Sequence, residues 1–110
     1  MYTLTTRARG NPDLGQDPNV PPHGVVNLAL YAPTLLALQA KVAAWIATNN
    51  LGGGNWWTGT TVFRLETTTN RRSGRSHTQS VLIGCMSYNG RVWTGNSIEV
   101  LPALAAPQEG

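Results

Sequence analysis

Apolar residues recur at helical spacing in one stretch of the chain. Leu35, Leu38, Val42, Trp45 and Ile46 fall on a single stripe at the i, i+3, i+4 spacing, with Gln39, Lys41, Thr48 and Asn49 largely off it. This pattern predicts a helix over 33–51, with Pro33 in the opening turn, where a missing N–H costs nothing. Elsewhere the pattern is extended. "YTLTTRAR" (2–9), "VVNLALYA" (25–32) and "TGTTVFRLET" (58–67) read as strands; in the last, Thr61, Phe63 and Leu65 are expected on the core face and Val62, Arg64 and Glu66 on the other. A short edge strand is expected over 97–101. The fold class is therefore α+β, an antiparallel sheet of four or five strands with the helix laid on one face, and the domain spans 1–101, followed by a Pro/Ala-rich tail over 102–110.

Turn chemistry divides these elements. In "TQSVLIGCMSYNGRVWTG", Asn89-Gly90 predicts a two-residue hairpin turn, which would set Tyr88 against Arg91 and Met86 against Trp93 and place all four on one side of the sheet. That patch reads either as a stacking surface beside a cation or as a second buried face. "LGGGNWW" (51–57) follows the helix and precedes a strand. A phosphate-cradling glycine loop has the opposite order, with its N–H groups at a helix start, and no lysine follows here. Gly52 is instead expected to be the left-handed residue that ends the helix. Adjacent residues of an extended segment point to opposite faces, so only one of Trp56 and Trp57 can enter the core. "GNPDLGQDPNVPPHG" (10–24) holds four of the seven prolines, and a connection of that length suggests function or a partner.

Charge alters the picture more than size does. Only 12% of the 110 residues are charged, against a usual ~25%, which leaves a weakly self-repelling surface and predicts a homo-oligomer. Seven of the eight cations are arginine: Arg7, Arg9, Arg64, Arg71, Arg72, Arg75 and Arg91, set with Lys41 against five acids. Arginine suits bidentate recognition of phosphate or carboxylate, and a GC-rich genome yields the same bias. The single cysteine, Cys85 in "VLIGCM", excludes an internal disulfide and is expected to be a small buried hydrophobe of a reducing compartment. With no signal-peptide pattern and no apolar run of membrane-spanning length, the expected location is cytoplasmic, with no membrane association.

Candidate chemistry points to binding. His23, His77, Cys85 and scattered acids do not compose a metal site, "DLGQD" lacks the oxygen ligands of a calcium loop, and Ser76-His77 has no nearby acid. Asp13 with Asp17, or Glu66 with Glu99, would be the only carboxylate pairs. No catalytic residue, metal or cofactor is therefore assigned. Arg7 and Arg9, two apart and on one face of a strand, invite an anion; with Arg64 and Arg91 as further cations and Trp57, Tyr88 and Trp93 as stacking surfaces they are the expected ligand-binding residues. The loop "TTNRRSGRSH" (68–77), with Arg71, Arg72, Arg75 and His77 and no acid, reads as a solvated tip or as a basic finger for nucleic acid or an acidic protein.

The segments "RGNPDLGQ", "LGGGNW" and "SYNGRVW" together resemble a group of small bacterial and phage proteins with no assigned activity. The resemblance spans most of 5–94 and implies a compact domain in a mobile-element setting; no site carries over from it. The expected function is a non-enzymatic binder or sequestering protein for a phosphate-bearing ligand, nucleotide or nucleic acid, of the kind a phage uses against host defence. The alternatives are an inhibitor that docks on an acidic protein through loops 68–77 and 10–24, and a small oligomeric hydrolase or transferase.

Overall fold

Leu4 and Val62 lie opposite each other on neighbouring strands, both fully buried, and the rest of the core assembles around them. The computed structural model describes residues 1–57 and 59–102. Its elements are β1 (Tyr2–Thr5), β2 (Ala29–Ala32), α1 (Leu35–Thr48), β3 (Thr61–Thr69), β4 (Ser76–Met86), β5 (Val92–Trp93) and β6 (Glu99–Leu101). The strands form one sheet in the order β2-β1-β3-β4-β5-β6, antiparallel throughout, with α1 packed on one face. Six strands replace the expected four or five. The last two, only two and three residues long, fall on the second arm of the expected hairpin and within the edge strand expected over 97–101. The expected tail lies, beyond Pro102, outside the described residues.

The helix is shorter than 33–51 because its caps lie further in. Thr34 is the N-cap, its hydroxyl accepting from the Ala37 N–H at 3.1 Å, so Pro33 precedes the helix. At the other end Asn50 takes φ 53°, and the N–H groups of Asn50 and Leu51 donate to the carbonyls of Ala47 and Ile46. This is a Schellman ending with asparagine in the left-handed position. Gly52 is extended (φ −101°, ψ 176°), which corrects its expected role. Leu38, Val42, Trp45 and Ile46 are buried as their spacing predicts. Gln39 is buried too, against expectation; its amide donates to the Gly90 carbonyl at 3.1 Å and the Pro102 carbonyl at 2.8 Å, fastening both the hairpin and the chain end to the helix.

Two registers depart from the pattern. Val62 pairs with Gly84 and Phe63 with Leu82, so Ile83 bulges out of β4. Val62, not Thr61, Phe63 and Leu65, faces the helix; those three stand half-buried on the open face of the sheet. Both faces of β3 carry apolar residues, and the helix, not the alternation, selects the buried one. In the second hairpin the Ser87 N–H donates to the Arg91 carbonyl and the Gly90 N–H to the Ser87 carbonyl. The loop therefore has three residues, with Gly90 at φ 87°. Cys85 pairs with Trp93 and Met86 with Val92. Relative to the expected two-residue turn this is a slip of one, which moves Trp93 to the face opposite Met86. Met86 is core, while Trp93 and Cys85 are half-buried on the open face.

The two tryptophans divide as the extended geometry requires. Trp56 is buried, edge-on to Trp45 with ring centroids 6.3 Å apart, and its indole N–H donates to the Met86 carbonyl at 2.9 Å. Trp57 is 37% exposed.

Candidate functional site

After β1 the chain stays extended but changes partner. Ala8 bridges Trp56, the Trp57 N–H donates to the Arg7 carbonyl, and the Arg9 N–H donates to the Asn55 carbonyl. Ala8 is buried, which turns the flanking Arg7 and Arg9 together to the other side. There they meet Trp57. The Arg7 guanidinium lies 4.6 Å from the Trp57 ring centroid, a cation–π contact that fixes the charge in place. Arg9 is half-buried, and its Nε is fully buried with no hydrogen-bond partner among the described residues.

These residues line a cavity of about 190 Å³, closed by Pro18, Asn19 and Asn27. The Asn27 side-chain oxygen accepts from the Ala8 N–H at 2.9 Å, which holds the amide over the strand. The rim comes from loop 10–24, which is ordered by local bonds. Gly10 N–H donates to the Val20 carbonyl, Asn11 caps a turn at Pro12–Leu14, and Gly15 is left-handed at φ 73°. The loop is also tied to the glycine segment: the buried Asn55 amide donates to the Arg9 carbonyl and to Gln16 Oε1. A Cβ on Gly54 would collide with the Asn11 side chain, so close approach of that loop requires glycine there. Gly54 thus serves packing between segments, while Gly52 and Gly53 have room for a side chain, with no atom nearer than 3.7 Å to an added Cβ. Among the described residues no acid lines the cavity; Asp17, the nearest in sequence, accepts from the Asn19 N–H. Arg7 and Asn27 also line a second, more open cavity of about 400 Å³ that is rich in threonine, with Thr5, Thr6 and Thr60.

The remaining expected ligand residues lie elsewhere. Arg64 is held by Glu66 at 2.5 Å, and this hydrogen bond, with the carboxylate's charge, raises the Arg64 pKa above its ordinary value. Arg91 sits over the Trp93 ring at 5.4 Å and pairs with Glu99 at 2.6 Å. That pair joins the start of β5 to β6, and β5 is three strands from β1, or about 14 Å at the usual strand spacing. Tyr88 reaches back to donate its hydroxyl to the Leu51 carbonyl at 3.2 Å. Glu66 and Glu99 each belong to an arginine, so they form no carboxylate pair. Arg71, Arg72, Arg75 and His77 are exposed on the β3–β4 hairpin.

Asn27, Asn19 and Pro18 were not expected in the site. A single asparagine inside the apolar run "VVNLAL" is the only signal for Asn27; Pro18 and Asn19 belong to loop 10–24, whose length marks it for function or a partner without singling out either residue. Among the described residues no three His, Cys, Asp or Glu side chains gather for a metal ion, and no helix is long and apolar enough to cross a membrane. No protein-family model, curated protein or solved structure matches the chain.

Proposed function

We propose that the chain is a binding protein for a phosphate-bearing ligand, a nucleotide in its simplest form, held in the cleft between Arg7, Arg9 and Trp57. The observation that carries this is the pairing of two arginines on one side of an extended segment with, among the described residues, no acid between them and a buried guanidinium nitrogen left unpartnered. A buried donor without an acceptor costs about 1–3 kcal/mol, and an anion that draws the Arg9 guanidinium out toward the cavity removes that cost. Trp57 offers a π-face and already orients Arg7, while Asn27 adds an amide donor to the same cavity. The threonine-lined cavity on the other side of Arg7 suits the hydroxyls of a sugar. Binding and sequestration need nothing more than these groups.

The test is titration of the purified chain with adenine and guanine nucleotides and with inorganic phosphate, followed by calorimetry and tryptophan fluorescence. Arg9→Ala should weaken nucleotide binding by about 1.5–3 kcal/mol, the range for hydrogen bonds to charged groups, without changing the melting temperature by more than a few degrees. A parent protein that binds none of these ligands, or an Arg9→Ala variant that binds them as the parent does, refutes the assignment.

A further inference from the structure

β3 and β4 outrun the rest of the sheet. β1 pairs with β3 as far as Arg64, and β5 pairs with β4 only at Cys85 and Met86. Residues 66–69 and 76–79 therefore form a two-stranded ribbon with no third strand beside it among the described residues. A free polar hairpin has little to hold it, yet this one is braced along its length. Thr67 bonds Thr78 at 3.0 Å and Thr69 bonds Ser76 at 3.1 Å across the strands. At the tip, Asn70 exchanges backbone bonds with Arg75 and Gly74, and its side-chain oxygen accepts from the N–H groups of Arg72 and Ser73. Arg71, Arg72 and Arg75 project from this turn, exposed and without an ion pair among the described residues. The one acid of the ribbon, Glu66, is engaged by Arg64 at the base. From 66 to 79 there is no aliphatic side chain and no Phe, Tyr or Trp.

We propose that this arm is a docking element for duplex DNA, lying in the major groove with its arginines on the phosphates. The major groove of B-form DNA admits a two-stranded ribbon, whereas the deep, narrow groove of duplex RNA does not. Hydroxyl and amide side chains suit phosphate and base edges. Protein interfaces centre on buried Trp, Tyr and Arg anchors ringed by contacts that exclude water; the arm offers arginine but no apolar side chain to seal it from water, which favours the open, hydrated contact of a phosphate backbone. This inference stands apart from the cleft of Arg7, Arg9 and Trp57, and either can fail without the other.

The experiment is fluorescence anisotropy with a labelled B-form duplex of about 20 base pairs, run from about 50 to about 200 mM salt. The parent should bind with a steep salt dependence. Replacing the tip arginines together (R71A, R72A, R75A) should weaken binding at least about tenfold at low salt and flatten the slope of log K against log salt by about 2–3, near 0.9 for each phosphate no longer neutralised. Circular dichroism of the variant should be unchanged, because the tip is held by Asn70. Arg7→Ala with Arg9→Ala should lose nucleotide binding yet keep duplex binding. The proposal is overturned if the tip variant retains the parent's affinity and slope, if the parent prefers duplex RNA or a polyglutamate peptide to DNA, or if duplex binding is lost only with Arg7 and Arg9.

Discussion

Replacing Gly90 with alanine probes how the β4–β5 hairpin is joined to the helix. Gly90 has φ 87°, and a Cβ there would lie 2.7 Å from Gln39 Cγ and 2.9 Å from its Nε2. Left-handed backbone with a side chain costs about 1–2 kcal/mol. Gln39 is only 2% exposed, so it can yield only by giving up its bonds to the Gly90 and Pro102 carbonyls. Each of these is worth about 0.5–1.5 kcal/mol net. The sum is about 2–5 kcal/mol, a large part of the ~5–15 kcal/mol that stabilises a typical domain. Gly52→Ala is the internal control. Gly52 has an extended backbone, and its nearest atom to an added Cβ is Asn55 Oδ1 at 3.8 Å, so the change should stay within about 0.5 kcal/mol. Urea unfolding followed by the fluorescence of buried Trp45 and Trp56 measures both. If Gly52→Ala is the costly substitution and Gly90→Ala the mild one, the left-handed ending at Asn50 and the three-residue hairpin loop are both wrong.

Other expectations follow from single contacts. Trp56→Phe removes the indole donor to the Met86 carbonyl and shortens the edge-on contact with Trp45; chemical denaturation should show a loss of about 1–3 kcal/mol, and a loss below about 0.5 kcal/mol would deny that bond a role. Arg91→Ala breaks a half-exposed ion pair with Glu99, so stability should fall by no more than about 1 kcal/mol. Nucleotide affinity should not change, and a calorimetric titration showing a large loss would place the ligand on β5 instead. The open face of the sheet carries Leu82 at 65% exposure and Tyr31 at 49% on a chain of low charge, which favours self-association. Light scattering should report more than one chain per particle and a single chain for Leu82→Glu, and a monomeric parent refutes this.

Local periodicity was enough to determine the helix, because the stripe from Leu35 to Ile46 repeats within a few turns of one element. It also located the Asn89-Gly90 turn, the opposite facing of Trp56 and Trp57, and the shared side of Arg7 and Arg9, all consequences of near-neighbour geometry. The order of helix, glycines and strand likewise argues against a phosphate loop, although the residue it assigns to the helix end, Gly52, is not the left-handed one. What the pattern did not contain is which face of a strand another element covers. Thr61-Phe63-Leu65 and Val62 are both apolar choices, and only the helix lying over Leu4 and Val62 decides between them. A one-residue difference in a hairpin loop is equally invisible in "SYNGRVW", yet it separates Trp93 from Met86 because side chains alternate with period two. The cleft shows the same division. Arg7 and Arg9 were legible as a pair, whereas Trp57, Asn27 and Asn19 join them from distant parts of the chain, through the Ala8–Trp56 bridge and the bond from Ala8 to Asn27. Such contacts depend on how separate segments close on one another, and that closure is set by the shared core.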